Sequence, residues 1–184
     1  LTEAGLTATF AVDEVQADDA LLPGDKAFQV IGTASLGAGK RWGTGIFVVY
    51  RQQDMPGGER TNATVVDLTA RYAGVFPWIS YSLEGELAFI GGDTTLAPTT
   101  DFPRHKLRQI GGAARLSLRR SHVGGVLDFL FASGDGNPDD GEQSAFKADP
   151  NYETGLLLYR QVLAAQTGRA AITAPKPYSL AVFI

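Results

Sequence analysis

Seven stretches of this chain alternate polar and apolar side chains with a period of two. That period admits little except β-strands with one wet face and one dry face. The first stretch sets Leu6, Ala8, Phe10 and Val12 against Thr7, Thr9 and Asp13, and the second sets Phe28, Val30, Gly32, Ala34 and Leu36 against Gln29, Thr33 and Ser35. In the fourth, Val66, Leu68, Ala70 and Tyr72 oppose Asp67, Thr69 and Arg71; in the fifth, Tyr81, Leu83, Gly85, Leu87 and Phe89 oppose Ser80, Ser82, Glu84 and Glu86. The sixth pairs Ile110, Gly112, Ala114, Leu116 and Leu118 with Gln109, Arg115, Ser117 and Arg119, and the seventh pairs Leu127, Phe129 and Phe131 with Asp128. The third, Gly45 to Gln53, alternates poorly, because Phe47 and Val49 fall opposite Ile46, Val48 and Tyr50.

The connections alternate too. Glu14 to Lys26, Gln52 to Thr61, Gly91 to Arg104 and the chain after Ser133 read as long; Gly37 to Thr44, Ala73 to Trp78 and Arg119 to His122 read as short. Long connections on one side and short turns on the other are the rhythm of an all-β, antiparallel up-and-down transmembrane β-barrel. Strands of about ten residues, tilted by about 45°, would cross the apolar band of about 25 Å in an outer membrane. Trp42, Tyr72, Phe76, Trp78 and Tyr81 cluster near the short connections as an interfacial girdle would, with Tyr50, Phe89 and Phe131 toward the other end. Seven is an awkward number for closure, since an unpaired edge in lipid leaves backbone groups unsatisfied. The chain is therefore expected to be a portion of a larger barrel, a single domain over 1–184. A soluble seven-stranded sandwich, with Trp42 and Trp78 as core anchors, is the competing fold.

Composition narrows the function. No cysteine is present, which removes disulfides and thiolate metal sites, and no apolar run approaches the roughly 20 residues of a membrane-spanning helix. A net charge of −4 with dispersed basic residues gives no nucleic-acid patch. His105 and His122 fall at opposite predicted ends, and no Gly-x-Ser-x-Gly elbow occurs, so no enzyme is predicted. Glu84 and Glu86 sit two apart on one face and read as solvated wall charges rather than a hydrolytic pair.

Strand seven runs into Phe131-Ala132-Ser133-Gly134-Asp135-Gly136-Asn137-Pro138-Asp139-Asp140-Gly141, followed by Phe146 and Asp149-Pro150. This stretch resembles the alginate-export type of outer-membrane barrel, in which a strand ends in Ala-Ser-Gly-Asp followed by an acidic Pro-Asp-Asp-Gly turn and a phenylalanine. The resemblance covers about fifteen residues beyond the generic rhythm; it implies an outer-membrane channel fold and does not carry over a substrate. Independently, Asp135, Asn137, Asp139 and Asp140 place four oxygen-bearing side chains within six residues, a set that suits calcium. The spacing is not that of an EF-hand, and turn capping by Asp and Asn is the plainer role.

Within a loop or plug segment spanning 134–175, Tyr152 to Gln166 carries Leu156, Tyr159 and Leu163 at helical spacing, with Gly168 as a stop. The spacing predicts a short helix that folds inward onto Phe47, Val49, Val126 and Leu130; an eighth strand and a rim helix are the alternatives. If the polar faces line a passage, Arg51, Asp67, Arg71, Glu84, Glu86, Arg115, Arg119 and Asp128 are its charges, suited to selecting hydrophilic solutes, anionic sugars among them. Expected partners are then the outer-membrane bilayer, lipopolysaccharide and the solute itself. A soluble carbohydrate-binding module and a non-conducting structural barrel are the competing functions.

Overall fold

The computed structural model describes residues 5–16, 23–38, 40–96, 98, 100–137, 140–146, 153–154, 161–162 and 181–182. Seven long strands follow one another in space as in sequence: β1 (Leu6–Val15), β2 (Lys26–Leu36), β3 (Trp42–Asp54), β4 (Arg60–Phe76), β5 (Ile79–Thr94), β6 (His105–Arg120) and β7 (Val123–Ala132). Each pairs antiparallel with the next, an up-and-down sheet built from hairpins. Two-residue turns at 77–78 and 121–122 close the β4/β5 and β6/β7 hairpins, and Ser121 takes a left-handed φ of 51° in the second. Residues 16–25 and 95–104 make the longest connections between these strands.

The sequence rhythm needs two corrections. The β2/β3 and β3/β4 connections, 37–41 and 55–59, are equal at five residues each, so long and short do not alternate strictly. The central strands β4, β5 and β6 run to 17, 16 and 16 residues, well beyond the expected ten. Their extra length lies at the end bearing the longer loops, where Arg60, Asn62, Asp93, Lys106 and Arg108 replace apolar side chains on an otherwise apolar face. Polar side chains let the ladder continue past the point where its dry face stops.

The remaining strands are short. Glu142–Gln143 (β8) pairs parallel to β6 at Lys106 and Leu107, taking the place beside β6 that β7 leaves when it stops opposite Gly111. Glu153–Thr154 (β9) and Gln161–Val162 (β10) pair antiparallel with each other. Ala181–Val182 (β11) pairs with β7 at Leu130 and Phe129, an eighth position in the sheet order. Of the segment Tyr152 to Gln166, for which a helix is expected, four residues are described and all four are extended; no helix occurs among the described residues, and Leu156, Tyr159 and Leu163 lie outside them. The sheet is open, since among the described residues β1 and β7 are not paired with each other.

A sheet normally buries one face against a second layer. Here the only buried hydrophobic side chains among the described residues are Ala27 and Leu130. The apolar face is instead exposed along its whole width, from Phe10 at 74% through Phe28, Ile46, Leu68 and Leu83 to Leu127 and Phe129. Phe47, Val75 and Val126 are the exceptions that point from strands toward the polar face, while Trp78 and Leu96 lie in connections.

Candidate functional site

Cross-strand register turns the polar face into layers, because directly paired residues share a face. All eight charged residues predicted from the alternation, Arg51, Asp67, Arg71, Glu84, Glu86, Arg115, Arg119 and Asp128, lie on this one face. Four of them fall in a single row: Arg71 pairs with Glu84, Glu84 with Arg115, and Arg115 with Asp128. The row alternates in sign across β4 to β7. Arg115 closes it with a two-point fork on Asp128, Nε to Oδ1 at 2.6 Å and Nη2 to Oδ2 at 3.1 Å. Both partners are partly solvated, so the pair contributes about 0.2–1 kcal/mol at most; its value is orientation. Arg71 lies across Gly43 of β3, where a Cβ would come within 2.9 Å of its Nε. Glycine at that position leaves room for the Arg71 side chain in this placement.

A groove of about 520 Å³ runs along this row from Ser35 of β2 to Arg115 of β6, with Thr69, Glu84 and Glu86 on its floor. The other predicted charges stand apart from it. Arg119 is near the β6/β7 turn, paired in register with Ser80 and Gly124. Arg51 is toward the loop end and donates from Nη2 to Gln53 Oε1 at 3.1 Å.

At that loop end the polar face is roofed. Gln53, Thr94 and His105, the buried polar side chains among the described residues, all sit there with Ala27 in one register row. The connections fold inward over them. Gln53 donates to Asp25 of the β1/β2 loop at 2.7 Å, Thr61 and Thr94 share a hydroxyl bond at 2.7 Å, and the ring nitrogen Nδ1 of His105 lies 3.1 Å from the Asp140 carbonyl oxygen. Asp54, beyond the apolar stretch of β3, is held below the ordinary carboxylate range by hydrogen bonds from the Gln52 amide and the Arg60 guanidinium. Residues 133–137 and 140–146 close the roof. Ser133 binds Ile110 from both backbone and side chain, Ser144 accepts from Ser133 at 2.6 Å, and Phe146 N–H donates to Ser133 at 2.8 Å.

That last bond delivers the Phe146 ring onto Gly111, on the polar face of β6, where any Cβ would collide with it. An inserted element does therefore reach the polar face, but it is Phe146 of the acidic loop. Gly111→Val tests this contact. Valine favours strands, so without the ring the substitution should leave the sheet as stable or more so. With the ring in place, the 133–146 loop is expected to be expelled and cut faster by protease, at unchanged sheet content.

The proposed calcium set is only partly within view, because Asp139 lies outside the described residues. Asp135 accepts from the backbone N–H groups of Asn137 and Ser144 at 3.2 and 3.4 Å, and Asp140 accepts from Glu142 N–H at 2.8 Å. These carboxylates cap turns, and among the described residues no three acidic or imidazole side chains gather as a metal cluster. The aromatic set is arranged as a group. Tyr81 lies between Tyr72 and Phe76, with ring centroids at 6.1 and 5.2 Å, and sits over Gly74, which leaves room for it. Trp42 and Trp78 belong to this short-turn end, whereas the acidic loop is at the opposite end.

No protein-family model, curated protein or solved structure matches this chain.

Proposed function

We propose that this chain forms wall of an outer-membrane β-barrel, and that its polar face lines a passage for hydrophilic solutes. The observation that carries the reading is the exposed apolar face. On β2 to β7 its uncharged span covers 28–36, 42–50, 66–76, 79–89, 110–118 and 123–131, or nine to eleven residues per strand, with Thr44 the one side chain on it that carries a hydroxyl besides tyrosine. Nine to eleven tilted residues are what a membrane-crossing strand needs, about 25 Å of apolar height. In water the same surface would be a hydrophobic patch far larger than the few hundred Å² that soluble monomers tolerate.

Three further features fit. Aromatics gather at the short-turn border of the band, as an interfacial girdle does. The loops fold over the polar face and would narrow a passage from one end. The alternating row Arg71, Glu84, Arg115 and Asp128 sets a transverse field across the wall, a means of sorting solutes by charge. The edge of β1, and that of β7 outside the two residues that pair with β11, then need partner strands, because unpaired backbone in lipid costs several kcal/mol per group. The resemblance of 131–141 to alginate-export barrels points to the same fold and leaves the solute open.

Fractionation and electrophoresis test the reading. The protein should remain with outer membranes until detergent is added, and should shift its gel mobility on boiling. Recovery of folded protein from the aqueous fraction would overturn it. Planar-bilayer recording then separates a channel from a structural barrel, by stepwise conductance or by silence.

A further inference from the structure

The two ends of the sheet differ in charge. At the short-turn end, the described residues of the β2/β3, β4/β5 and β6/β7 connections and of the strand ends beside them carry Lys40, Arg41, Arg119 and Arg120, and no carboxylate. None of these four side chains has an ion-pair or hydrogen-bond partner among the described residues. The nearest carboxylates, Glu84 and Asp128, are on the polar face, where each pairs in register with Arg115. On the outward, apolar face that Arg120 shares, none occurs before Glu14, Asp93 and Glu142, in the row of Lys106 at the loop end. There the cations are matched: Arg60 pairs with Asp54, and Arg104 with Asp93. At the turn end each pair of cations adjoins a tryptophan instead. Trp42 follows Lys40 and Arg41 directly, and Trp78, 62% exposed, stands in the β4/β5 turn two residues before Ser80, the register partner of Arg119. Arg120 itself ends the apolar face, paired with Val123.

We propose that this rim holds anionic phospholipid headgroups, in the leaflet on the short-turn side of the membrane. Indole rings at the edge of an apolar band settle at headgroup level, and long cationic side chains beside them reach the phosphates. Every phospholipid offers phosphate. In phosphatidylcholine the choline balances its charge, so cations with no carboxylate among them favour a headgroup that stays net negative, such as phosphatidylglycerol. A soluble acidic protein would match the charge and leave the apolar border beside Arg120 and Val123 uncovered. The inference rests on the membrane reading and adds to it the chemistry of the lipid.

Both tryptophans of the chain lie on this rim, so their fluorescence reads the lipid in contact with it. The full chain is folded into phosphatidylcholine vesicles that contain a minor fraction of one brominated lipid, and boiling-shift mobility verifies that each variant is folded. Brominated phosphatidylglycerol is expected to quench as though bound on the order of fivefold more tightly than brominated phosphatidylcholine, the factor that one cation supplies near an anionic surface. The preference should shrink in about 1 M salt, where the Debye length is about 3 Å. Lys40→Gln, Arg41→Gln, Arg119→Gln and Arg120→Gln together should bring the ratio close to one. Lys106→Gln with Arg108→Gln, on the same outward face at the loop end, should leave it unchanged. Equal quenching by the two lipids, or an unchanged ratio in the folded fourfold variant, overturns the lipid assignment and leaves the cations to a soluble acidic partner. Loss of the preference on adding glycerol phosphate at constant ionic strength also overturns it, because the rim would then be a site for soluble phosphate esters. In each of these cases the protein is still in the bilayer. Quenching by neither lipid removes the membrane reading, and this inference with it.

Discussion

Arginine in place of Leu127 is expected to cost about 2–4 kcal/mol of folded stability in a bilayer, whereas arginine in place of its neighbour Val126 is expected to change stability by no more than about 0.5 kcal/mol. Both side chains are exposed, at 46% and 62%, so neither loses packing that would explain a difference. They differ in face. Leu127 is at the middle of the 123–131 apolar span and Val126 is on the polar face, in register with Ser117. Val123, on the apolar face but at its border, gives the depth test: arginine there should cost about 0–1 kcal/mol. A cost that falls from Leu127 to Val123 follows bilayer depth. If this face were instead exposed to water, all three substitutions would be nearly neutral. If it were covered by a second protein layer, the cost would follow local packing and not distance from the band's centre. Urea unfolding of the three variants in lipid vesicles measures the series, and a flat result would remove the membrane from the reading.

The faces were legible in the sequence because a period of two needs no knowledge of neighbours. Each predicted wall charge from Arg51 to Asp128 could be assigned to its face by counting along its own strand. What counting could not supply was register. That Glu84 stands between Arg71 and Arg115, and not beside Arg119, depends on the two-residue turn at 77–78 and on where β6 begins. An apolar row on the polar face, Ala11, Ile31, Val49, Val65 and Ile90 from β1 to β5, was hidden for the same reason. Along β3 it appeared only as the imperfect alternation at Val49, and along β2 and β5 a single Ile31 or Ile90 gave no signal.

The inward contact of Phe146 was missed for a different reason: it joins residues 35 apart, through a loop whose path is set by Ser133 and Ser144. A trace of it was present in Gly111, a second glycine beside Gly112 in a strand, since an interior strand glycine often marks close approach by another group. At Glu153–Thr154 and Gln161–Val162, the described positions of the segment Tyr152 to Gln166, antiparallel pairing replaces the expected helix, because short apolar runs fit both periods.

Reversing Arg71 and Arg115 together, as Arg71→Glu with Arg115→Glu, is expected to raise cation over anion permeability on the order of tenfold. The argument starts from spacing. Paired strands are about 4.8 Å apart, and the Debye length at 0.1 M salt is about 10 Å, so each charge in the row acts on the space in front of its neighbours. In the native row the signs alternate from Arg71 to Asp128 and largely cancel at a distance. After reversal, four carboxylates would stand side by side and their fields would add. The opposite change, Glu84→Lys with Asp128→Lys, should shift preference toward anions by a similar factor. Both shifts should shrink in 1 M salt, where the Debye length is about 3 Å. Arg120 serves as the control, because it pairs with Val123 at the turn on the other face and its reversal should leave selectivity alone. Like charges directly opposite one another also weaken strand pairing, so reversal potentials count only for variants that keep their boiling-shift mobility. In such variants an unchanged reversal potential would mean that ions do not pass this row, and the polar face would then be a wetted wall with no passage in front of it.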